Sequence, residues 1–88
     1  MYKDCLESIA SNRELKWTDL RVFLLLLANI KEETTAEISQ VEMARKLGVE
    51  SSHVCQAIRK LSENRIINKK YIAGKLVGYQ LILEEETY

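Results

Sequence analysis

The side chains with the most evident chemistry lie between residues 51 and 63, on one side of a predicted helix. Val54, Ile58 and Leu61 recur at i, i+4 and i+7, the spacing of a buried helix face. The outward positions carry hydrogen-bonding and charged groups, namely Ser51, Ser52, His53, Gln56, Arg59, Lys60 and Glu63. Hydroxyl, amide and guanidinium groups on an exposed helix face are suited to non-covalent binding of base edges and phosphate oxygens.

Gln56 is the first candidate for contact with a base. A glutamine side chain can form two hydrogen bonds to adenine N6 and N7, and the major groove of B-DNA, ~12 Å wide, admits one helix. Arg59 and Lys60 follow one turn later, so we expect them to reach phosphates, with an arginine-to-guanine contact as the alternative. Phosphate contacts of this kind orient a protein on DNA but do not specify a sequence.

Three further cations surround a predicted hairpin. Lys69 and Lys70 belong to its first strand, and Lys75 lies at its tip. We expect these lysines to neutralise backbone phosphates, with Lys75 also able to probe a minor groove. Because the hairpin is short and has no arginine, phosphate contact is favoured over deep insertion.

Charge is balanced overall but unevenly distributed. The 88 residues contain 13 Lys or Arg and 13 Asp or Glu. Residues 38–83 hold eight basic and three acidic residues, residues 1–37 hold five and seven, and residues 84–86 are all glutamate. This division favours an anionic partner for one face of the protein, although a merely solvated lysine-rich face would give the same counts.

Several classes of function are disfavoured by composition. Cys5 and Cys55 stand fifty positions apart in no metal-ligand spacing, and the chain has one histidine and no glycine-rich phosphate loop. We therefore expect no enzyme activity, no metal or cofactor and no small-molecule substrate. The start of the chain lacks a signal-peptide pattern, and its longest apolar run covers seven residues, 22–28, where a membrane span needs about 20. A cytoplasmic protein without membrane contact is the expectation.

Two helices are predicted in the first third of the chain. Tyr2, Cys5 and Leu6 continue to Ile9 with helical spacing, which indicates an N-terminal helix within residues 1–14 that ends near residues 11–12. A second helix is expected from about residue 18 to residue 31. Thr18 would be its cap, and Asp19 in its first turn would suit the positive end of the helix dipole.

The second helix is apolar on two faces, so both need cover. Leu20, Phe23, Leu24 and Leu27 form one face, and Val22, Leu25, Leu26 and Ile30 form the other. A chain of this size has little material with which to cover both faces, and a second subunit would help. We therefore expect a two-fold homodimer, whose interface is formed by Cys5, Leu6, Ile9, Leu25 and Leu26.

The next elements have sharp boundaries. A short extended stretch is expected around residues 37–38, and Ser39 with Glu42 has the spacing of a capping box, which starts a helix. Val41, Met43, Ala44 and Leu47 would face inward, and Gly48 would end the helix. After the helix that begins near residue 51, residues 66–72 and 76–83 flank the three-residue connection 73–75 and indicate a β-hairpin. Its second strand would direct Val77, Tyr79, Leu81 and Leu83 to the core.

This order of elements resembles the winged helix-turn-helix superfamily, in which MarR-type regulators and the initiator proteins of plasmids and phages are typical members. The similarity rests on residues 38–49, 54–61 and 66–67 and extends over about residues 18–83. It implies one α+β domain over residues 1–88: an N-terminal helix, a three-helix core with a hairpin wing, and an acidic tail at 84–88. The resemblance makes the helix after Gly48 the recognition helix and implies that Ser51, Ser52, His53, Gln56, Arg59 and Lys60 contact DNA.

One position departs from the superfamily pattern. Members usually cap the recognition helix with serine or threonine, whereas this chain has Glu50, so Ser51 is an alternative cap. For His53, an ordinary exposed helix residue is the competing interpretation. The functional hypothesis is sequence-specific binding of double-stranded DNA by a small dimeric transcriptional regulator. A plasmid or phage initiator-type protein and a winged helix used for protein–protein interaction are the alternatives, and two-fold related recognition helices would read half-sites ~34 Å apart.

Overall fold

A computed structural model describes residues 3–32 and 34–82, without the side chains of Cys5 and Glu32. Tyr2, Leu83 and the acidic tail therefore lie outside the described residues. The described elements are the helices α1 (Lys3–Ser11), α2 (Trp17–Ala28), α3 (Gln40–Leu47) and α4 (Ser51–Glu63) and the strands β1 (Ile30–Glu32), β2 (Thr35–Ala36), β3 (Ile67–Ile72) and β4 (Lys75–Leu81). The chain is a small α+β domain, as expected.

The four strands form one antiparallel sheet in the order β1-β2-β4-β3. The hairpin of β3 and β4 is confirmed, and β4 pairs with β2 on its other side. Two differences from expectation concern the start of the sheet: α2 ends at Ala28 and β1 covers residues 30–32, where the helix was expected to continue to residue 31, and β2 covers residues 35–36, just before the expected stretch at 37–38. The four described helices and this sheet enclose one hydrophobic core.

The core fixes which face of α2 is buried. Val22 and Leu26 are completely buried, and Phe23 is nearly so, within a single copy of the chain. Leu26 is therefore wrong as an interface residue, because its side chain already lies in the core. Ile9 is also buried, and Leu25 packs against the same core. Of the expected interface residues, Leu6 is exposed, and the side chain of Cys5 lies outside the described part of the chain.

The helix ends follow local chemistry, with one correction. The Ser39 hydroxyl accepts a hydrogen bond from the Glu42 amide at 3.1 Å, so the predicted cap of α3 is confirmed. Thr18 was wrong as the cap of α2, because the helix begins one residue earlier, at Trp17, with Lys16 as its N-cap residue. The Asp19 carboxylate reaches back to accept a hydrogen bond from the Lys16 amide at 2.8 Å.

The hairpin is tighter than expected and is irregular. Its turn contains two residues, Ala73 and Gly74, both with positive φ (52° and 79°), as in the type I′ turns that join twisted strands. The strand pairing shifts between Lys70 and Tyr71. Val77 therefore has no cross-strand partner and interrupts the alternation of side chains between the two faces of β4. Val77 is therefore exposed, contrary to expectation, whereas Tyr79 and Leu81 face the core as predicted.

Gly78 allows β2 to approach β4 closely. A Cβ atom at this position would lie 2.5 Å from the Ala36 carbonyl oxygen, a distance that real Cβ atoms do not adopt. Glycine is thus required sterically where the chain leaves β2 and turns toward α3. Within the part of the chain that is described, no helix is long and apolar enough to cross a bilayer.

Candidate nucleic-acid interface

The junction between α3 and α4 sets the direction of α4. Gly48 adopts the left-handed conformation with φ 68°, as predicted for this turn. The Gly48 amide donates to the Arg45 carbonyl at 3.4 Å, and the Val49 amide donates to the Ala44 carbonyl at 3.1 Å. These two bonds form a Schellman motif, which satisfies carbonyl groups at the end of α3 and fixes the turn into α4.

The N-terminus of α4 has no side-chain cap. Glu50 is the N-cap residue, with extended backbone angles, and its side chain makes no capping hydrogen bond. The alternative of Ser51 as cap is wrong, because Ser51 is already the first residue of the helix. Free amide groups and a fractional positive charge therefore remain at this helix end, beside two exposed serines, Ser51 and Ser52.

One side of α4 is buried and the opposite side is exposed. Val54, Ala57, Ile58 and Leu61 are completely buried. With 3.6 residues per turn, the positions directly opposite form an exposed stripe made of Ser52, Gln56, Arg59 and Glu63. Three of the sequence-predicted residues thus share one solvent-facing line, and this set is called the outer stripe of α4 below.

His53 and Lys60 lie to one side of the outer stripe, facing α2. Together with Gln56 they line a small cleft of about 180 Å³, which Lys16, Thr18 and Asp19 complete from the start of α2. The Lys60 ammonium lies 3.5 Å from the carboxylate of Asp19, whose side chain is only 9% exposed. Lys60 therefore connects α4 to α2, a role that the sequence interpretation did not assign to it.

The three hairpin lysines do not share one face. Consecutive residues of a strand point to opposite sides of a sheet. Lys69 lies on the face of the buried Ile67, whereas Lys70 lies on the other face. Lys75 is the cross-strand partner of Ile72 and so shares the face of Lys70. Only Lys70 and Lys75 can therefore contact one ligand on the same face of the hairpin.

A buried tyrosine joins the hairpin to α3. Tyr79 is 2% exposed, and its hydroxyl oxygen accepts a hydrogen bond from the Gln40 side-chain amide at 3.2 Å. Burial raises the pKa of the Tyr79 phenol above its ordinary value of 10.0, while the hydrogen bond from Gln40 acts in the opposite direction. The contact fixes the start of α3 against β4, at the base of the hairpin.

Sequence reasoning missed the exposed apolar side chains at the hairpin tip. They lie on both strands and on both faces of the hairpin, namely Tyr71, Ile72, Leu76 and Val77. Tyr71 and Leu76 are cross-strand partners, so their side chains share a face. The only signal in the sequence is the high β-propensity of these residues, which predicts a strand but not the exposure of its side chains. Trp17, also largely exposed, is the first residue of α2 and precedes the helix start predicted from the sequence.

Among the residues described, no group of three or more His, Cys, Asp or Glu side chains could hold a metal ion. Cys55, on α4, is exposed and unpaired by a disulfide. No protein-family model matches the chain, and no curated protein or solved structure shows significant similarity to it.

Proposed function

We propose that this chain is a winged helix-turn-helix protein that binds double-stranded DNA, with α4 in the major groove and the β3–β4 hairpin against the neighbouring backbone. The observation that carries the proposal is the outer stripe of α4. Gln56 and Arg59 project from a helix whose opposite side is held in the core. A helix that enters a groove needs this arrangement, because its polar face must be free while its position is fixed.

The surroundings of the stripe support the same function. The uncapped N-terminus of α4 suits a phosphate group, which accepts hydrogen bonds from free helix amides. Lys70 and Lys75 share one face of the hairpin and offer two further cations for the DNA backbone. Lys60 has a smaller part in this proposal than in the sequence interpretation, because its ammonium is paired with Asp19.

The element order α2-β2-α3-α4-β3-β4 and the central position of β4 between β2 and β3 fit the proposed fold. In this assignment α3 and α4 form the helix-turn-helix, and the β3–β4 hairpin is the wing. The β1–β2 pair and α1 are additions at the edges. The proposed activity is binding, without catalysis.

Selection of bound duplexes from a random oligonucleotide pool tests the proposal. We expect enrichment of one motif. We also expect the logarithm of the association constant to fall linearly with the logarithm of the salt concentration, because each neutralised phosphate releases counterions. Absence of enrichment together with absence of binding at low ionic strength would overturn DNA binding. The position of the enriched motif separates the two DNA-binding roles: a transcriptional regulator binds at promoters, and an initiator binds repeated sites at an origin.

One observation favours a second function, protein–protein interaction. The hairpin tip exposes Tyr71 and Ile72 at 57% and 61%, together with Leu76. Apolar side chains of this size at the end of a hairpin are typical of a protein contact as well as of a wedge into DNA. The variant Ile72→Ser separates the two: loss of a wedge would lower the affinity for DNA, whereas loss of a protein contact would leave the affinity for DNA unchanged.

A further inference from the structure

One side of α2 carries an apolar stripe in which two members are largely exposed and two, Leu20 and Leu27, are partly buried against the core. Its members are Trp17, Leu20, Leu24 and Leu27, spaced by three, four and three residues. Trp17 is 77% exposed and Leu24 is 62% exposed. Asp19 and Leu26, on the other side of the same helix, are buried. This 3-4-3 spacing is the one by which a helix packs along a second helix.

The surface of α2 beside the stripe already has a recess that can receive a side chain of a second helix. Residues 20, 23, 24 and 27 of α2 stand at i, i+3, i+4 and i+7, the four positions that surround an inserted side chain in helix–helix packing. They line a groove of about 300 Å³, which Leu6, Ile9 and Ala10 of α1 close from the other side. Every lining side chain is apolar, so the groove fits the apolar face of a helix.

We propose that the occupant is a second copy of this chain, whose α2 lies antiparallel to the first across a two-fold axis. The stripe reads the same in both directions, because its spacing is symmetric about residue 22. In an antiparallel pair, Trp17 of one copy meets Leu27 of the other, and Leu20 meets Leu24. A two-fold interface must be self-complementary in this way, with each copy supplying both the inserted side chain and the hole.

The exposed area is of the right order for the centre of such an interface. An aromatic side chain buries about 150–250 Å² on its own, against about 800 Å² per partner in a standard interface. Leu24 and Leu6, which are also exposed, add to this apolar area. The proposed contact replaces the interface expected around Leu25 and Leu26.

Charge does not oppose the contact. Arg21 is the cation nearest the proposed axis, but its guanidinium is turned toward α3, where it donates to the Leu47 carbonyl at 3.1 Å. On the α1 side of the groove, Lys3 and Glu7 form an exposed ion pair at 4.0 Å, so each copy offers both signs of charge there.

Sedimentation equilibrium in the absence of DNA tests the proposal. We expect the average mass to rise toward twice that of one chain between micromolar and millimolar concentration, and the emission of Trp17, the single tryptophan, to shift to shorter wavelength over the same range. Leu24→Asp is expected to remain monomeric. Val41→Asp is the matched control, because Val41 lies on α3 and, contrary to the expectation that it faces inward, is 71% exposed, and this variant should dimerise like the wild type.

The antiparallel register has its own test. The variant Ala28→Cys supplies a thiol for a nitroxide label, in a chain that also carries Trp17→Phe, Cys5→Ser and Cys55→Ser, and the labelled chain is mixed with unlabelled wild type. Trp17 emission can then be quenched only across the dimer. Within one chain positions 17 and 28 are about 16 Å apart, whereas across the proposed interface they are neighbours, so strong quenching is expected.

A wild-type chain that stays monomeric at millimolar concentration, or a Leu24→Asp variant that dimerises as well as the wild type, overturns the proposed dimer. Dimerisation without quenching overturns the antiparallel arrangement. Both measurements are made without DNA, so they stand or fall independently of the oligonucleotide selection.

Discussion

The Lys60 ammonium lies 3.5 Å from the carboxylate of Asp19, and this ion pair joins α4 to the first turn of α2. The Asp19 carboxylate also accepts a hydrogen bond from the Lys16 amide at 2.8 Å. One buried carboxylate therefore stabilises the start of α2 and binds α4 to it. In the proposed function, the pair fixes the orientation of α4 without touching DNA. Substitutions at these two residues therefore test how α4 is positioned, separately from its contacts with DNA.

We expect Asp19→Ala to lower the free energy of unfolding by about 1–3 kcal/mol, because the Lys16 amide loses its acceptor and Lys60 its partner. Lys60 is one-third exposed, so solvent screens the ion pair, and a double-mutant cycle of Asp19→Asn with Lys60→Met should give a coupling of only about 0.5–1 kcal/mol. Urea unfolding at low and high salt measures both quantities. A coupling of zero at low salt would show that the pair does not hold the helices.

For DNA binding, Gln56→Ala should cost about 1–3 kcal/mol on the selected motif and little on random DNA, because the amide reads a base. Lys70→Ala should weaken binding to all sequences alike and reduce the salt slope by about one unit. Lys3→Ala is the matched control, as an exposed lysine on α1, and should leave the slope unchanged. Fluorescence anisotropy over a salt series measures all three. Equal losses on both DNAs for Gln56→Ala and Lys70→Ala would contradict the division of roles.

The buried phenol of Tyr79 predicts a loss of stability in alkaline solution. The pKa of the Tyr79 phenol is raised in the folded chain, so in alkaline solution the folded state retains a proton that the unfolded state releases. The contribution of this phenol to the free energy of unfolding is complete below pH 10 and falls as the pH rises through the pKa of the folded state. Tyr79→Phe should remove this part of the alkaline decline. At neutral pH the variant should lose about 0.5–1.5 kcal/mol with the Gln40 hydrogen bond.

Urea midpoints measured between neutral and strongly alkaline pH check this expectation. Tyr71→Phe serves as the comparison: Tyr71 is exposed and its charge is only a minor cause of the raised pKa of Tyr79, so this variant should keep most of the alkaline decline. If Tyr79→Phe and the wild type lose stability in parallel, the decline has another source.

Gly78→Ala should destabilise the chain by about 1–3 kcal/mol, because the added methyl group meets the backbone oxygen of Ala36, which has no freedom to rotate away. Gly48→Ala meets nothing within 4 Å, and only its left-handed backbone opposes the change, at a cost of about 1–2 kcal/mol. Hydrogen exchange distinguishes them. In Gly78→Ala the β2–β4 amides should lose protection before the rest of the sheet, whereas in Gly48→Ala they should not.

Elements with local signals could be predicted from sequence. Ser39 and Gly48 set the ends of α3 through bonds within six residues, and the buried stripe of α4 follows from periodicity alone. The choice of buried face on α2 could not be predicted in this way, because the helix is apolar nearly all round and periodicity does not say which face its own chain covers.

Contacts between residues that are far apart in the chain could not be predicted from the sequence either. The exposed polar side of α4 was foreseen, but the pairing of Lys60 with Asp19 depends on how two helices cross. The separation of Lys69 from Lys70 and Lys75 depends on strand alternation in a sheet whose register was unknown. The DNA contacts themselves remain predictions.

The place of β3 at the edge of the sheet has a consequence for solubility. An edge strand offers unpaired amide and carbonyl groups to any neighbouring molecule, and sequences rich in isoleucine and tyrosine are prone to stack through such edges into fibrils. Lysines at 69 and 70 oppose this stacking by mutual repulsion. A polyanion that neutralises them removes that protection, so concentrated mixtures with nucleic acid or heparin should aggregate sooner than the protein alone.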